Sequence, residues 1–195
     1  EMEQFISWFN QTAPGNPQAI PFPPIRAAIA HLYFESIHPF EDGNGRIGRV
    51  IAEKALSQGF GYPVMLSLSQ TIEANKKKYY AALKAGSKTM EITAWLDYFV
   101  NLVNDAQTAF AKQIQFILKK AAFFDQYENT LNERQLKVIK RMMRSGIENF
   151  EGGINARKYM AITGTSKATA TRDLQDLHAL EILKQIGSGR SVRYE

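Results

Sequence analysis

The stretch IHPFEDGNGRIGRVIAEKAL, residues 37–56, joins two helical segments through a turn that is rich in glycine and charge. The DGNG tetrapeptide, residues 42–45, interrupts the first helix because its glycines and short polar side chains favour turn conformations. Helical spacing of apolar residues resumes at Ile47 and continues to Leu56. The stretch therefore predicts a buried helix, a tight turn and a second helix.

Further helical patterns lie on both sides of this turn. Residues 1–10 have an apolar face, and another helix begins at Pro24, where a first helical turn tolerates proline. Residues 92–118 repeat apolar side chains at intervals of three and four. The pattern is lost near residues 124–131, so we predict an all-helical domain over residues 1–125.

The remaining residues, 131–195, have a different organisation. An amphipathic helix over 132–146 and a short helix over 154–162 precede a TGTS turn and a third helix, whose predicted cap is Ser166. Two alternating segments around the tight GSG turn, residues 187–189, then predict a β-hairpin. Helix, helix, turn, helix and hairpin is the order of a winged helix-turn-helix. The predicted fold class is therefore mainly α.

The composition excludes several classes of protein. With 45% apolar and 22% charged residues, the chain can bury an ordinary core and is not disordered. It contains no cysteine, which excludes disulfides and thiolate metal sites and suits a reducing compartment, so we expect a cytoplasmic location. Neither a signal peptide nor a membrane span is found in the sequence. Its start at Glu1, inside a helical pattern, predicts a fragment or a processed form.

The net charge of +5 is unevenly distributed along the chain. Residues 1–130 contain 12 Lys or Arg and 12 Asp or Glu, whereas residues 131–195 contain 12 and 7 respectively. The excess positive charge therefore lies in the predicted winged helix, which favours an anionic partner such as DNA.

The turn has the chemistry of a polyphosphate site. Its glycines let backbone N–H groups turn inward, next to the positive end of the following helix dipole. Arg46 and Arg49 lie three residues apart on the first turn of that helix, so both guanidinium groups can reach one anion. This much positive character suits a polyphosphate better than a single phosphate.

Two further side chains complete a predicted transfer site. Asp42 places a carboxylate beside the turn, where it can hold a Mg²⁺ ion that bridges two phosphates. His38 can act as a general base on an incoming hydroxyl, and Phe40 is expected to be buried and to pin the loop. Taken singly, these residues are more often helix-end, turn or surface residues. Their combination at this spacing favours a site.

The segment HPFEDGNGRIGR, residues 38–49, resembles the Fic motif, His-x-Phe-x-Asp/Glu-Gly-Asn-Gly-Arg-x-x-Arg, at every specified position. The resemblance covers roughly residues 1–122, and the C-terminal part is similar to the winged helices appended to many bacterial Fic proteins. It implies a Fic-type helical bundle followed by a small winged helix-turn-helix.

The resemblance also implies transfer of AMP from Mg-ATP to a Ser, Thr or Tyr hydroxyl of a target protein, with release of pyrophosphate. His38 would be the catalytic base and Asp42 the metal ligand. Kinase-like relatives tend to carry a lysine where this chain has Gly45, which favours AMP transfer. The residues implied to bind the nucleotide are Asp42, Gly43, Asn44, Gly45, Arg46, Ile47, Gly48, Arg49, Tyr79 and Tyr80.

Several features leave alternatives open. Tyr79 and Tyr80 match a tyrosine pair beside the adenine in the family, but core packing explains each of them equally well. Ser87 stands where many relatives have an asparagine. The inhibitory motif Ser/Thr-x-x-x-Glu-Gly/Asn is not found, because SKTMEI ends in Ile92. The flap that holds the target in family members would lie upstream of Glu1.

The third helix of the C-terminal part has two different faces. Its predicted packing stripe is Ala170, Leu174, Leu177 and Leu180. The opposite face can enter a DNA major groove, while the wing can reach phosphates or the minor groove. The predicted DNA contacts are Lys167, Thr169, Thr171, Arg172, Arg190 and Arg193.

Two functions are therefore compatible with the sequence. One is a protein adenylyltransferase whose partner is a target protein with a hydroxyl acceptor. The other is a DNA-binding regulator whose Fic part only senses nucleotide. A winged helix also serves as a protein-docking module or a homodimer contact, and we expect no membrane partner.

Overall fold

The computed structural model describes residues 1–89, 91–145 and 152–195. Met90, in the SKTMEI segment, and Gly146, at the end of a predicted helix, lie outside the described residues. The prediction of a mainly α fold with a small β-hairpin is confirmed. Within the described ranges, no helix combines the length and apolar character that crossing a bilayer requires.

The chain divides into two units, Glu1–Ala111 and Lys112–Glu195. The predicted domain limits, 1–125 and 131–195, stay a prediction. One long helix runs through the division between the units. The helices that begin in the first unit are α1 (Met2–Gln11), α2 (Pro23–Ile37), α3 (Asn44–Phe60), α4 (Leu68–Ala74), α5 (Lys76–Gly86) and α6 (Thr93–Tyr127).

Helix α2 is buried on most of its sides and packs against α3. Its deepest side chains include three alanines, at 27, 28 and 30, which are fully buried. The larger Ile25 and Ile29 are only partly buried. Small side chains let two helices approach closely, which explains why the alanines take the interior positions.

Buried Arg26 ties the start of α2 to its neighbours. Its guanidinium group donates hydrogen bonds to the Phe9 carbonyl (2.6 Å), to Thr12 Oγ1 (3.2 Å) and to Gln58 Oε1 (3.0 Å). It also lies 4.4 Å from the centre of the Phe9 ring. A charged side chain in the core needs such partners. The contacts connect α1, the start of α2 and the end of α3.

The second unit has the predicted winged helix-turn-helix order. Asn132 and Gln135 form a reciprocal capping box at the start of α7, and Ser166 caps α9 as predicted. The elements are α7 (Glu133–Met142), α8 (Ala156–Thr163), α9 (Lys167–Ala179), β1 (Gln185–Ile186) and β2 (Arg193–Tyr194). The two antiparallel strands are shorter than the alternating segments predict, and Tyr194 pairs with both Gln185 and Ile154.

The second unit has a buried carboxylate at its centre. Asp173 is 3% exposed and accepts hydrogen bonds from Arg134 Nε (2.8 Å), the Tyr159 hydroxyl (2.9 Å) and Asn132 Nδ2 (3.2 Å). Burial alone would raise the pKa of Asp173, but these three donors outweigh it and hold the pKa below the usual value. Leu180, predicted to be packed, is 39% exposed because α9 ends at Ala179.

Candidate active site

The segment from His38 to Arg49 lies where α2 ends and α3 begins. His38 adopts a left-handed conformation (φ 50°, ψ 56°) directly after the last residue of α2. Its side chain is 62% exposed, and its Nδ1 lies 3.9 Å from Glu35 Oε2. The predicted base is therefore open to solvent on one side and faces a carboxylate on the other.

The loop that follows is held by Asn44. Its side chain accepts a hydrogen bond from the Phe40 N–H (3.0 Å) and donates one to the Phe40 carbonyl. Asn44 itself is 3% exposed. The prediction that a buried Phe40 pins the loop is wrong, because the Phe40 side chain is 48% exposed and only its backbone is anchored. A side-chain amide can satisfy a donor and an acceptor together, which a phenyl ring cannot.

The start of α3 has the form of an anion cradle. Gly43 has a φ of 88°, which only glycine adopts readily, and its carbonyl accepts the first bond of the helix, from the Ile47 N–H (3.0 Å). The N–H groups of residues 44–46 therefore have no carbonyl within the helix to bond to. These N–H groups and the helix dipole favour an anion at this end of α3.

The two motif arginines differ in how firmly they are held. Arg49 is half-buried and donates a hydrogen bond from Nε to Ser69 Oγ (2.8 Å), at the start of α4. The Arg46 side chain is 76% exposed and lies 3.5 Å from Asp42 Oδ2. The Ser69 contact was not predicted, since Ser69 lies 20 positions further along the chain and the residues between give no signal of it. It leaves the remaining Arg49 nitrogens available for an anion.

Asp42 is the exposed carboxylate beside the cradle. Its side chain is 95% exposed, and Oδ1 accepts a hydrogen bond from the Gly43 N–H (2.7 Å). Among the described residues, no group of three or more His, Cys, Asp and Glu side chains is arranged to hold a metal ion. Mg²⁺ bound through nucleotide phosphates needs only one or two protein carboxylates. A single accessible Asp42 fits that requirement.

The predicted nucleotide-binding residues are not all equally accessible. Ile47 is 38% exposed, whereas Gly48 is buried inside the α2–α3 contact. Tyr79 is 2% exposed, and its hydroxyl lies 2.8 Å from Nε2 of the buried His31. Tyr80 is 58% exposed, with its ring edge-on to that of Tyr79 at 5.1 Å. The burial of Tyr79 favours its core-packing alternative, and Tyr80 alone presents its ring to solvent.

Two buried polar residues of α2 were missed by the sequence analysis. Nδ1 of His31 and Oε1 of Glu35 have no hydrogen-bond partner in the described part of the chain. Burial lowers the pKa of His31 to about 4. Burial also raises the pKa of Glu35, against the opposing charges of His38 and Arg49. A signal did exist, since His31, Glu35 and His38 follow i, i+4, i+7 spacing and so share one helical face.

The predicted DNA contacts lie around α9 and the wing, but not all are available. Lys167 and Arg172 are exposed. Thr169 was predicted on the outward face, but it is only partly exposed and its hydroxyl lies 3.1 Å from that of the capping Ser166. The Thr171 hydroxyl donates to the Lys167 carbonyl (2.9 Å).

In the wing, Arg193 donates from Nε to Glu195 Oε1 (2.9 Å), and both side chains are 46% exposed. The Arg190 side chain lies outside the described residues. A groove of about 600 Å³ runs between α9 and the wing. Polar residues that line it include Arg157, Lys167 and Gln175, so the groove has basic and amide groups beside the predicted contacts.

The resemblance to the Fic family is confirmed by comparison with known proteins. Residues 1–56, which include the whole motif, match the model of the Fic/DOC family. Residues 151–195 match a second model, described as the C-terminal domain of the DIP2311-like transcriptional regulator. The two matches lie in different units of the chain.

Three individual relatives, two named Fic and one named for a Fido domain, match parts of the chain. The chain is 36% identical to the protein adenylyltransferase Fic of Aedes aegypti over 88 residues, which are 45% of this chain and 16% of that protein. It is 26% identical to the Drosophila willistoni protein of the same name over 156 residues, 80% of this chain and 29% of that protein. A Fido domain-containing protein of Dictyostelium discoideum is 37% identical over 89 residues, 45% of this chain and 54% of that protein.

Among solved structures, the chain is similar to a Fic family protein from Desulfovibrio desulfuricans G20. The TM-score is 0.46 at 20% sequence identity, and the match covers 100% of this chain and 53% of that chain. The chain thus spans between about one-sixth and about half of the length of these relatives.

Proposed function

We propose that this chain transfers AMP from Mg-ATP to a Ser, Thr or Tyr hydroxyl of a target protein. The observation that carries the proposal is the meeting of three groups at the α2–α3 junction: the exposed imidazole of His38, the N–H groups at the start of α3, and Arg49. Relatives named protein adenylyltransferase support a Fic-type transferase that uses ATP. The acceptor hydroxyl, the Mg²⁺ ion and the position of the bound ATP are likewise proposed.

In this reaction His38 takes the proton of the acceptor hydroxyl as the hydroxyl oxygen attacks the α-phosphorus of ATP. The bond from the α-phosphorus to the oxygen that bridges it to the β-phosphorus breaks, and pyrophosphate leaves with that oxygen. Backbone N–H groups at the start of α3 and the guanidinium of Arg49 stabilise the negative charge on the phosphates. Asp42 would hold Mg²⁺, which neutralises phosphate charge when bound.

The test is a labelling assay with ATP that carries ³²P at either the α or the γ position, with lysate proteins and the chain itself as acceptors. AMP transfer labels protein only from the α position, whereas kinase chemistry labels it only from the γ position. His38→Ala should slow labelling by about 10²–10⁴-fold, which is the contribution of a general base to such rates. His178→Ala, on α9, is the matched control and should retain labelling.

The second function, a DNA-binding regulator that senses nucleotide, would be favoured by a different result. Tight binding of Mg-ATP without any transfer of label from either position would exclude the enzyme. The match of residues 151–195 to a transcriptional regulator domain and the excess of basic residues after residue 130 support this alternative.

We further propose that the winged helix binds duplex DNA through α9, whether the first unit transfers AMP or only senses nucleotide. The expected affinity for a labelled duplex falls steeply with salt, because each phosphate contact releases counterions. Arg172→Ala should weaken binding and lower the slope of log affinity against log salt by about 0.9. Arg141→Ala, an exposed arginine of α7, is the control. Affinity that does not change with salt would contradict DNA binding.

A further inference from the structure

We propose that Glu35 is a positioning residue for His38 in the transfer reaction. Its carboxylate orients the imidazole through Nδ1, so that Nε2 faces the acceptor hydroxyl. This inference rests on the proposed function, because it concerns the base of that reaction. It is carried by the position of a buried carboxylate 3.9 Å from Nδ1 of an exposed histidine.

The geometry of the α2 terminus brings these two residues together. Glu35 and His38 are three residues apart, and the left-handed backbone of His38 ends the helix directly above the Glu35 side chain. The Glu35 side chain is 7% exposed, whereas that of His38 is 62% exposed. A separation of 3.9 Å is too long for a hydrogen bond, but a small rotation of the imidazole closes it. Catalytic hydrogen bonds commonly tighten in this way when substrate binds.

Packing does not explain a glutamate at this position. Its Oε1 is buried, and the described residues offer it no hydrogen-bond donor. Burial raises the pKa of Glu35, so the ionised form costs folding stability at neutral pH. Arg49 offsets part of this cost at all times, and a positive imidazole at His38 offsets more of it. That positive charge develops on His38 during proton transfer, so the stabilisation is largest in the transition state.

The surroundings of Glu35 limit the other roles that it can have. Behind Glu35 lies His31, whose Nε2 is hydrogen-bonded to the Tyr79 hydroxyl. Burial lowers the pKa of His31, so its ring is neutral at pH 7. The cationic groups whose charges act on Glu35 are His38 and Arg49. A Cβ at Gly48 would lie 2.7 Å from Oε1, so the glycine leaves room for the carboxylate.

In the transfer step Glu35 does not itself accept a proton. The hydroxyl proton moves to Nε2 of His38 while the new bond to the α-phosphorus forms and pyrophosphate leaves. The Glu35 carboxylate stabilises the resulting imidazolium through Nδ1–H, and the proton later passes from Nε2 to solvent. The arrangement has the same logic as the carboxylate that orients the histidine of a hydrolytic triad.

The first test compares Glu35→Gln with Glu41→Gln, which removes the same charge from an exposed residue of the adjacent turn. Glu35→Gln should lower kcat by roughly 10- to 100-fold, a part of the 10²–10⁴-fold that a general base contributes. The KM for ATP should stay within about twofold and the melting temperature should not fall, because a neutral side chain is easier to bury. Glu41→Gln should retain the wild-type kcat.

Two outcomes would overturn the proposal. An unchanged kcat would show that the carboxylate does not assist His38. A loss that appears mainly in the KM for ATP would show that Glu35 acts on Arg49 and the phosphates instead. A double variant is the further check, since Glu35→Gln should have no additional effect on the residual rate of His38→Ala if it acts through that histidine.

A spectroscopic measurement tests the contact between Glu35 and His38 without an activity assay. In ¹⁵N-labelled protein at pH 8, two-bond ¹H–¹⁵N spectra report which nitrogen of neutral His38 carries the proton. The Nδ1–H form should dominate in the wild type, and Glu35→Leu should shift the population to the Nε2–H form. If the ratio of the two tautomers is the same in the wild type and in Glu35→Leu, Glu35 does not contact His38 in this way. If the wild type transfers no label, the proposed function fails while this measurement still tests the Glu35–His38 contact.

Discussion

Replacing Asp173 by Asn should strongly destabilise the second unit of the chain, although the two side chains have almost the same shape. Each carboxylate oxygen of Asp173 accepts two hydrogen bonds. Oδ1 accepts from Asn132 and Arg134 Nη2, and Oδ2 accepts from Arg134 Nε and the Tyr159 hydroxyl. In asparagine one of these oxygens becomes an NH₂ group, so a donor meets donors whichever way the amide is turned.

The size of the loss follows from which donors remain buried. The Arg134 side chain is 44% exposed, so water can replace the carboxylate there. The Tyr159 side chain is fully buried, and its hydroxyl would lose its acceptor or face an NH₂ group. A buried polar group left without a partner costs about 1–3 kcal/mol, and loss of a buried carboxylate with charged donors costs more. We expect Asp173→Asn to lower the free energy of unfolding of this unit by about 2–4 kcal/mol.

Hydrogen exchange followed by mass spectrometry measures this loss locally. Under conditions in which exchange reports the opening equilibrium, 2 kcal/mol corresponds to roughly 30-fold faster exchange of the protected amides in α7, α8 and α9. Amides of Glu1–Ala111 serve as an internal reference. The matched control is Asp176→Asn, which removes the same charge from an exposed position of the same helix. If the Asp173 variant exchanges no faster than this control, the carboxylate does not hold the unit together.

Three further predictions concern the loop, the helix contact and pH. Asn44→Ala should weaken Mg-ATP binding at least tenfold by calorimetry, because the Phe40 backbone loses both hydrogen bonds that anchor the cradle; unchanged affinity would contradict this. Gly48→Ala should slow label transfer, because the new Cβ displaces Glu35, while stability changes by less than about 2 kcal/mol since the helix gains propensity. The second unit should lose stability as pH falls below about 4, since the folded pKa of Asp173 lies below its unfolded value; thermal melts should show a smaller acid loss in Asp173→Asn.

Much of the local structure could be read from the sequence because its causes are local. The α2–α3 turn follows from glycines that adopt positive φ, and Gly61 ends α3 in a left-handed conformation. Ser166 begins α9 because its hydroxyl accepts a hydrogen bond from the N–H of Thr169. Side chains and backbone groups a few residues apart decide these features. A pattern over four residues is therefore sufficient to predict them.

The candidate site was only partly predictable for the same reason. The motif places His38, the anion cradle and Arg49 within twelve residues, and the structure brings them to one helix junction. The anchoring of Arg49 by Ser69 depends on a partner in another helix. Likewise, the packing of α5 against α2 and α6 decides that Tyr79 is buried beside His31 and Trp95 while Tyr80 faces solvent. Contacts between distant residues leave no short-range pattern.

Sequence patterns are sufficient to predict the helices on either side of the α2–α3 turn, the turn itself, the winged-helix arrangement and the residue types at the phosphate cradle. They do not show which polar side chains are buried, because burial depends on the complete fold. Glu35 lies beneath His38, and Asp173 accepts hydrogen bonds from three residues, although acidic residues usually lie on the surface. The physical reason is that the free energy of a buried charge depends on its burial and on its donors, and both are supplied by segments that meet only after folding.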